Sequence, residues 1–309
     1  MSKLFIIGNG FDMAHGIKSS YEDFHKYLDR NYEEKDCFYP ELITMPDGDE
    51  FFNEDENVTF IKTVISNIEG DTWSKLEESL GYLELSDFFE EISDLKDIYN
   101  NEDISRNICN ALLETPNYFS EWIDEDIDLS DIKVKEEFKN LISIDDLFLS
   151  FNYTGTLEEI YEIKNVCHIH GCNSCGDKLL FGHGNFNNSF SSRVPIGAEN
   201  YISKLYTGLI KDTCGAIKKH QDFFNKITNK IESIYSYGFS FGEVDLIYIK
   251  EILSKLDTKK VTWYFNKFED NNGKTNDAEI NEFTNKLKNY LGFKGEINTF
   301  TIDKKKSKV

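Results

Sequence analysis

The chain has 309 residues, of which 39% are hydrophobic and 14% aromatic, a composition that supports a packed core and excludes a disordered protein. Its formal net charge is -22, because 56 acidic residues outnumber 34 basic ones, and this excludes the basic face of a nucleic-acid-binding protein. The dense basic cluster is confined to Lys304–Lys306 and Lys308. With no apolar run of about 18 residues and no signal-peptide pattern, we expect a cytoplasmic protein without nucleic-acid or membrane partners.

The first predicted element is a buried strand at Leu4–Ile7, and the turn Gly8-Asn9-Gly10 follows it directly. A strand, a glycine turn and a helix are typical of the opening of a doubly wound α/β domain, where the turn approaches a pyrophosphate. The third glycine of a dinucleotide fingerprint is replaced by Met13. The turn therefore has two interpretations, a phosphate-binding loop or an ordinary end of a strand.

A long segment separates this strand from the next one and is mostly helical in pattern. Ser19 and Glu22 have the spacing of a helix cap, and Phe88, Ile92 and Leu95 have the spacing of one helical face. We predict a helical subdomain at 31–141, inserted into an α/β domain made of 1–30 and 142–309. Within it, the run Trp73–Glu77 predicts an amphipathic helix with Glu77 exposed; the alternative is an acid that faces a sugar hydroxyl.

Strand and helix then alternate to the end of the chain, which predicts a parallel sheet of about six strands. Predicted helices lie at 157–164, 244–256 and 278–291. The predicted strands after the first are Leu147–Phe151, Val166–His170, Ile234–Phe239, Val261–Phe265 and Asn298–Ile302.

Polar residues follow several of these strands, at the edge where open α/β sheets bind their ligands. An Asn and a His at neighbouring strand ends suit a reaction that needs a positioned water and a base near neutral pH. Each has a structural alternative: Asn152 can cap the next helix, and either His168 or His170 can be a core residue. His183 lies in a loop between two glycines. The polar residues at these ends are Asn9, Asp12, Asn152, Tyr153, Thr154, Thr156, Glu158, His170, Ser240 and Asp245.

The six cysteines are expected to be reduced thiols. Cys172-x-x-Cys175, with Cys167 upstream, has two interpretations, half of a zinc site or a turn that contains two thiols. A second ligand pair with suitable spacing is missing, so no metal is expected.

Five blocks of this sequence resemble the AbiH family of bacterial abortive-infection proteins. They are LFIIGNGFDMAHGIKSSYEDFHKYL (Leu4–Leu28), LSFNYTGTLE (Leu149–Glu158), HIHG (His168–Gly171), FGHGN (Phe181–Asn185) and YGFSFGEVD (Tyr237–Asp245). The same series is similar, more distantly, to the sirtuin-like fold. That resemblance implies a Rossmann-like, NAD-binding domain and, as in many sirtuin-like defence proteins, cleavage of NAD+ to nicotinamide and ADP-ribose.

Carried over by position, the resemblance implies that Asn152 acts at the nicotinamide ribose and that His170 is the catalytic base. Sirtuin-like members commonly have Asp two residues after the Asn, where this chain has Thr154. One CxxC alone does not match the zinc module of deacetylating sirtuins, so protein deacetylation is disfavoured. The implied NAD-binding residues are Gly8, Asn9, Gly10, Phe11, Asp12, Tyr153, Gly238, Ser240 and Asp245.

The sequence therefore predicts an antiviral effector that binds NAD+ and hydrolyses it, with Asp12 or Glu77 stabilising positive charge on the sugar. The alternative is a sensor that binds NAD or ADP-ribose without turnover, which the Thr154 substitution favours. A nuclease is disfavoured by the charge of -22. The expected partners are NAD+ or a related nucleotide, further copies of the chain in a homo-oligomer, and a phage-derived trigger.

Overall fold

The computed structural model describes residues 2–66, 77, 80–83, 85–89, 91–184, 194–269 and 273–302. The sequence features at Trp73–Leu76, Asn185, Lys304–Lys306 and Lys308 lie outside these residues. The helices and strands in chain order are β1 (Ser2–Ile7), α1 (Asn9–Ala14), α2 (Tyr21–Asn31), β2 (Ile43–Thr44), β3 (Glu50–Phe51), α3 (Glu54–Ser66), α4 (Leu95–Leu113), α5 (Thr115–Asp126), α6 (Glu136–Leu141), β4 (Leu147–Ser150), α7 (Thr156–Tyr161), β5 (Val166–His168), α8 (Glu199–Gly208), α9 (Thr213–Lys219), α10 (Gln221–Lys226), β6 (Ile231–Tyr237), α11 (Leu246–Ser254), β7 (Thr262–Asn266), α12 (Asp277–Asn285) and β8 (Glu296–Phe300).

Six strands form one sheet in the order β5-β4-β1-β6-β7-β8, and every neighbouring pair is parallel. The predicted α/β class with a parallel sheet of about six strands is confirmed. The closer likeness to Rossmann and sirtuin folds, and the position of the helical insertion, stay predictions. Because the strands are parallel, their carboxyl ends lie at one edge of the sheet.

β1 is a central strand because its apolar run suits burial on both faces. Leu4, Phe5, Ile6 and Ile7 are all fully buried. One face carries a row of aromatic rings across four strands: Phe5 stacks on Phe148 at 5.0 Å and on Tyr235 at 5.1 Å, and Tyr235 stacks on Tyr264 at 4.6 Å. These rings sit at register-paired positions, so cross-strand stacking reinforces the order of the strands.

The chain divides into two compact units, each built from separate segments. The first contains the sheet and comprises Met1–Ser19, Ile127–Leu179 and Asp212–Val309. The second comprises Ser20–Asp126 and Leu180–Lys211. The predicted helical subdomain at 31–141 stays a prediction. The second unit overlaps it, but its first segment runs from Ser20 to Asp126 and it also contains Leu180–Lys211.

The second unit is mainly helical and has its own aromatic core. Phe24 of α2 packs on Phe119 and Trp122 of α5, with ring centroids 5.6 and 5.4 Å apart. Phe119 also stacks on Phe181 at 5.2 Å. Within the described residues, no helix has both the length and the apolar character needed to cross a membrane.

Candidate active site

Three glycines bring the β1–α1 turn against the end of β6. The amide of Gly10 donates to the carbonyl of Gly238 at 3.1 Å, and a Cβ on Gly8 would lie 2.5 Å from that same oxygen. Gly238 has φ of +68°, and a Cβ there would lie 2.2 Å from the nitrogen of Phe11. Backbone packing therefore requires glycine at these positions, and the Gly10 amide already has a backbone acceptor, so it is not available to a phosphate.

The register of the sheet brings Asn152 and His170 to neighbouring positions. Ser150 at the end of β4 pairs with His168 at the end of β5. Asn152 and His170 each lie two residues further along, so both leave the sheet at the same edge. Both side chains are buried.

Asp12 is the charged centre of a small polar cluster at this edge. Its carboxylate is fully buried and accepts a hydrogen bond from the Thr154 hydroxyl at 2.6 Å, and Thr154 also contacts the Thr156 hydroxyl at 3.0 Å. Burial raises the pKa of Asp12 to about 6, an effect opposed by hydrogen bonds from Thr154, Thr156 and Asn152 and by the charge of His168. The residue that departs from the sirtuin-like pattern, Thr154, is thus the direct partner of Asp12.

Of the two polar groups in the Asn152 side-chain amide, one forms a hydrogen bond within the described residues and the other does not. Its hydrogen bond to Asp12 uses the NH₂ group, because a carboxylate accepts only. Its Oδ1 is buried and accepts no hydrogen bond within the described part of the chain. A buried acceptor without a donor is unfavourable, so this oxygen fits a ligand hydroxyl or a water. Asn152 does not cap α7, whose N-cap is Gly155.

His170 pairs with a carboxylate from another strand end. Its Nε2 lies 3.2 Å from Oδ1 of Asp245, and both side chains are nearly covered. Rings of Phe151, Tyr153 and Tyr248 surround the imidazole, with centroids 5.1, 6.0 and 5.7 Å away. At this distance the carboxylate stabilises positive charge on the imidazole, which is what a histidine that takes up a proton as general base requires.

A second histidine–carboxylate pair lies beside the first and was missed by the sequence reasoning. His168 places Nε2 2.8 Å from Oε1 of Glu158 and Nδ1 3.2 Å from the Asn152 carbonyl. The alternation in Val166–His170 put both histidines on one face, but Glu158 reaches this site from α7. The contacts of the two ring nitrogens orient the imidazole of His168, and the second contact also positions the backbone of Asn152.

The other predicted site residues have simpler surroundings. Asn9 accepts a hydrogen bond from the Ser19 hydroxyl at 2.7 Å, and Ser240 is exposed. Phe11 is fully buried and packs on Phe138 and Tyr237, so its side chain belongs to the core.

Two further candidates lie in the helical unit. Glu77, predicted to be exposed, is instead buried and forms an ion pair with Lys211 at 2.7 Å. His183, predicted as a loop residue open to ligand or solvent, is fully buried, with Nε2 3.1 Å from the carbonyl of Tyr206. Neither residue is grouped with Asn152 and His170 in the sheet-containing unit.

Cys172 and Cys175 lie on the turn that follows His170. Cys172 is buried and Cys175 is exposed. Within the described ranges, no three His, Cys, Asp or Glu side chains are grouped closely enough to hold a metal ion.

The fold and this edge define a parallel α/β protein with histidine–carboxylate pairs and an Asn at its strand ends. The chain belongs to the AbiH family: the family model described as bacteriophage abortive infection AbiH matches residues 4–267. This confirms the AbiH resemblance, and membership indicates a role in abortive infection of bacteriophage. No curated protein and no solved structure matches the chain.

Proposed function

We propose that this protein is a cytoplasmic abortive-infection effector that binds NAD+ at the carboxyl edge of its sheet and hydrolyses it to nicotinamide and ADP-ribose. The observation that carries the proposal is the His170–Asp245 pair beside Asn152, whose buried amide oxygen lacks a donor within the described residues. A base, a carboxylate beside it and an open acceptor are the parts that a hydrolytic site needs.

The three groups have separate roles in this proposal. His170 accepts the proton of the attacking water, and Asp245 stabilises the resulting imidazolium. Asn152 accepts a hydrogen bond from a ribose hydroxyl or from that water. NAD+ supplies a nicotinamide leaving group that already carries positive charge, so no strong general acid is needed.

Asp12 contributes charge in this scheme. With a pKa of about 6, it is mostly ionised at neutral pH despite being fully buried. A negative charge in a low-dielectric site stabilises positive charge that develops on a nearby sugar more strongly than it would in water. Thr154 donates to this carboxylate and keeps it in place.

The test is nicotinamide release from NAD+ by purified protein, with and without extract of phage-infected cells that supplies a trigger. We expect release by the wild type and a loss of at least about 100-fold in Asn152→Ala. Asn57→Ala is the matched control: Asn57 is also a buried Asn, but it lies in the helical unit and bonds Tyr118 at 3.2 Å. Asn152→Ala must keep a wild-type circular dichroism spectrum.

A second candidate function, the non-catalytic sensor, is favoured by Thr154, which stands where sirtuin-like members commonly have Asp and which donates to Asp12. It predicts that NAD+ or ADP-ribose raises the thermal unfolding midpoint while no nicotinamide appears under either condition. If NAD+ gives no nicotinamide release and also no shift of the unfolding midpoint, both functions are contradicted. Release at an equal rate from His170→Gln would contradict the assignment of the base.

A further inference from the structure

The turn directly after His170 carries two thiols that the proposed reaction does not use. Cys172 and Cys175 are linked by a hydrogen bond from the Cys175 amide to the Cys172 carbonyl, at 3.2 Å. A bond from residue i+3 to residue i closes a turn whose end Cα atoms lie within about 7 Å. Disulfides span Cα separations of about 4.4–6.8 Å. The backbone therefore already holds these cysteines at a separation suited to a disulfide.

The two sulfur atoms differ in access and in state. Cys172 is fully buried, and its Sγ lies 3.2 Å from the hydroxyl of Ser174. Burial, with a smaller contribution from the neighbouring Cys175 thiol, raises the pKa of the Cys172 thiol to about 12. Cys175 is exposed. An oxidant arriving from solvent therefore meets Cys175 first, and the buried Cys172 is its partner three residues earlier in the same turn.

We propose that Cys172 and Cys175 form a redox-active dithiol that takes a hydroperoxide as oxidant and closes to an intramolecular disulfide. Cys175 attacks a peroxide oxygen, the O–O bond breaks, and with hydrogen peroxide one water leaves while Cys175 becomes a sulfenic acid. The Cys172 sulfur then displaces the sulfenic hydroxyl, which leaves as a second water. Two thiols and one hydrogen peroxide thus yield one disulfide and two waters.

The turn is connected to the candidate site through the backbone. The Gly171 amide donates to the carbonyl of His168 at 3.1 Å, and the Asn173 amide donates to the carbonyl of Tyr153 at 2.9 Å. Cys172 lies between these two attachments, so closing the disulfide ties Cys175 to a backbone segment that is already bonded to both strand ends. The dithiol itself stands independently of NAD+ chemistry, because its test reads only the state of the sulfur atoms.

The test is oxidation of the reduced full-length protein with one molar equivalent of hydrogen peroxide, followed by thiol counting under denaturing conditions and peptide mapping. We expect two of the six thiols to disappear, a peptide linked at Cys172 and Cys175 with a mass lower by two hydrogen atoms, and full recovery with dithiothreitol. Cys175→Ser should form no such link and should keep its Cys172 thiol. Because Cys175 is exposed, this variant is expected to fold.

Cys214→Ser is the matched control, since Cys214 is the other exposed cysteine of the six. It should form the Cys172–Cys175 link as the wild type does. The proposal would be overturned by oxidation of Cys175 to a sulfinic acid or a disulfide-linked dimer while Cys172 stays free. It would equally be overturned by linkage of either cysteine to Cys167 or Cys214, or by an unchanged thiol count.

Discussion

Asp12 shows how one buried carboxyl group makes stability depend on pH. Its pKa is raised by burial from 3.8 to about 6, so the folded state holds its proton more tightly than the unfolded state. Stability from this group is therefore fully present below pH 3.8 and is lost as the pH rises through about 6. The full loss corresponds to roughly 3 kcal/mol.

Asp12→Asn removes this dependence while keeping an oxygen that accepts from Thr154. The difference in free energy of unfolding, variant minus wild type, should be about 1 kcal/mol larger at about pH 8 than at about pH 5. Urea unfolding at both pH values measures it. Asp128→Asn is the control, because a hydrogen bond from the Ser130 amide lowers the pKa of exposed Asp128, so this group titrates below the window and its difference from wild type should not change between the two pH values. A pH-independent difference for Asp12→Asn would contradict the raised pKa.

Gly238 makes a second prediction at the residue scale. Gly238→Ala places a Cβ 2.2 Å from the Phe11 nitrogen at φ of +68°, so it adds a backbone clash to a strained conformation. Gly292→Ala is the matched control, since Gly292 has φ of +73° and a Cβ added there would meet no atom within 4 Å. We expect about 1 kcal/mol of destabilisation in the control and at least about 3 kcal/mol in Gly238→Ala, measured by urea unfolding. Equal losses would show that the turn moves aside.

The residues of the candidate site were only partly predictable. Asn152, His170 and Asp245 were predicted for this edge because a parallel sheet brings the residues after its strands together there; their roles stay predictions. Glu158 was not found as the partner of His168, because helix α7 brings it into place in space, and no spacing rule records that. Glu77 was predicted to be exposed from local helical spacing. Its ion-pair partner, Lys211, is 134 positions away, so local sequence could not reveal the pair.

At the scale of elements, the sequence was most informative where apolar runs were long. All six predicted strands exist, because β-branched and aromatic runs between turn residues have few other stable conformations. The first helix cap was predicted one residue early: Ser20 and Asp23 form the capping box, while the Ser19 hydroxyl bonds Asn9. Adjacent serines offer two equivalent starts, and only tertiary contacts select between them.

The predicted helical face of Phe88, Ile92 and Leu95 was wrong, and the cap of α4 explains why. Asp94 accepts from the amides of Lys96 and Asp97 at 2.7 and 3.2 Å, so the helix starts after it. Ile92 lies before this start, and Leu95, in its first turn, is 72% exposed. Apolar spacing across a strong cap thus does not describe one helix.

The same cap gives a prediction for this helix. Asp94→Ala removes the acceptor for two otherwise unsatisfied amides, and we expect a loss of about 1 kcal/mol in the free energy of unfolding. Asp103→Ala is the matched control, because Asp103 is an exposed acid inside the same helix. Denaturant unfolding of both variants measures the difference. A loss as large in Asp103→Ala would attribute the effect to charge rather than to capping.

At the scale of the whole molecule, the net charge of -22 sets a background of repulsion on the folded state. Raising NaCl from about 0.1 M to about 1 M shortens the screening length from about 10 Å to about 3 Å. We therefore expect the thermal unfolding midpoint to rise with salt at neutral pH. Near the calculated isoelectric point of 4.7 the same salt increase should have little effect. A falling midpoint at neutral pH would show that ion pairs outweigh the net repulsion.

The order of strands in the sheet also determines how long the newborn chain must wait to fold. β1 leaves the ribosome before both of its neighbours in the sheet, which come from Leu147–Ser150 and Ile231–Tyr237. At a synthesis rate of about 5–20 residues per second, the second neighbour follows roughly 10–50 s later. Throughout that interval the apolar run Leu4–Ile7 has no completed sheet around it. Of the six strands in the described sheet, this central one alone has both of its neighbours synthesised after it.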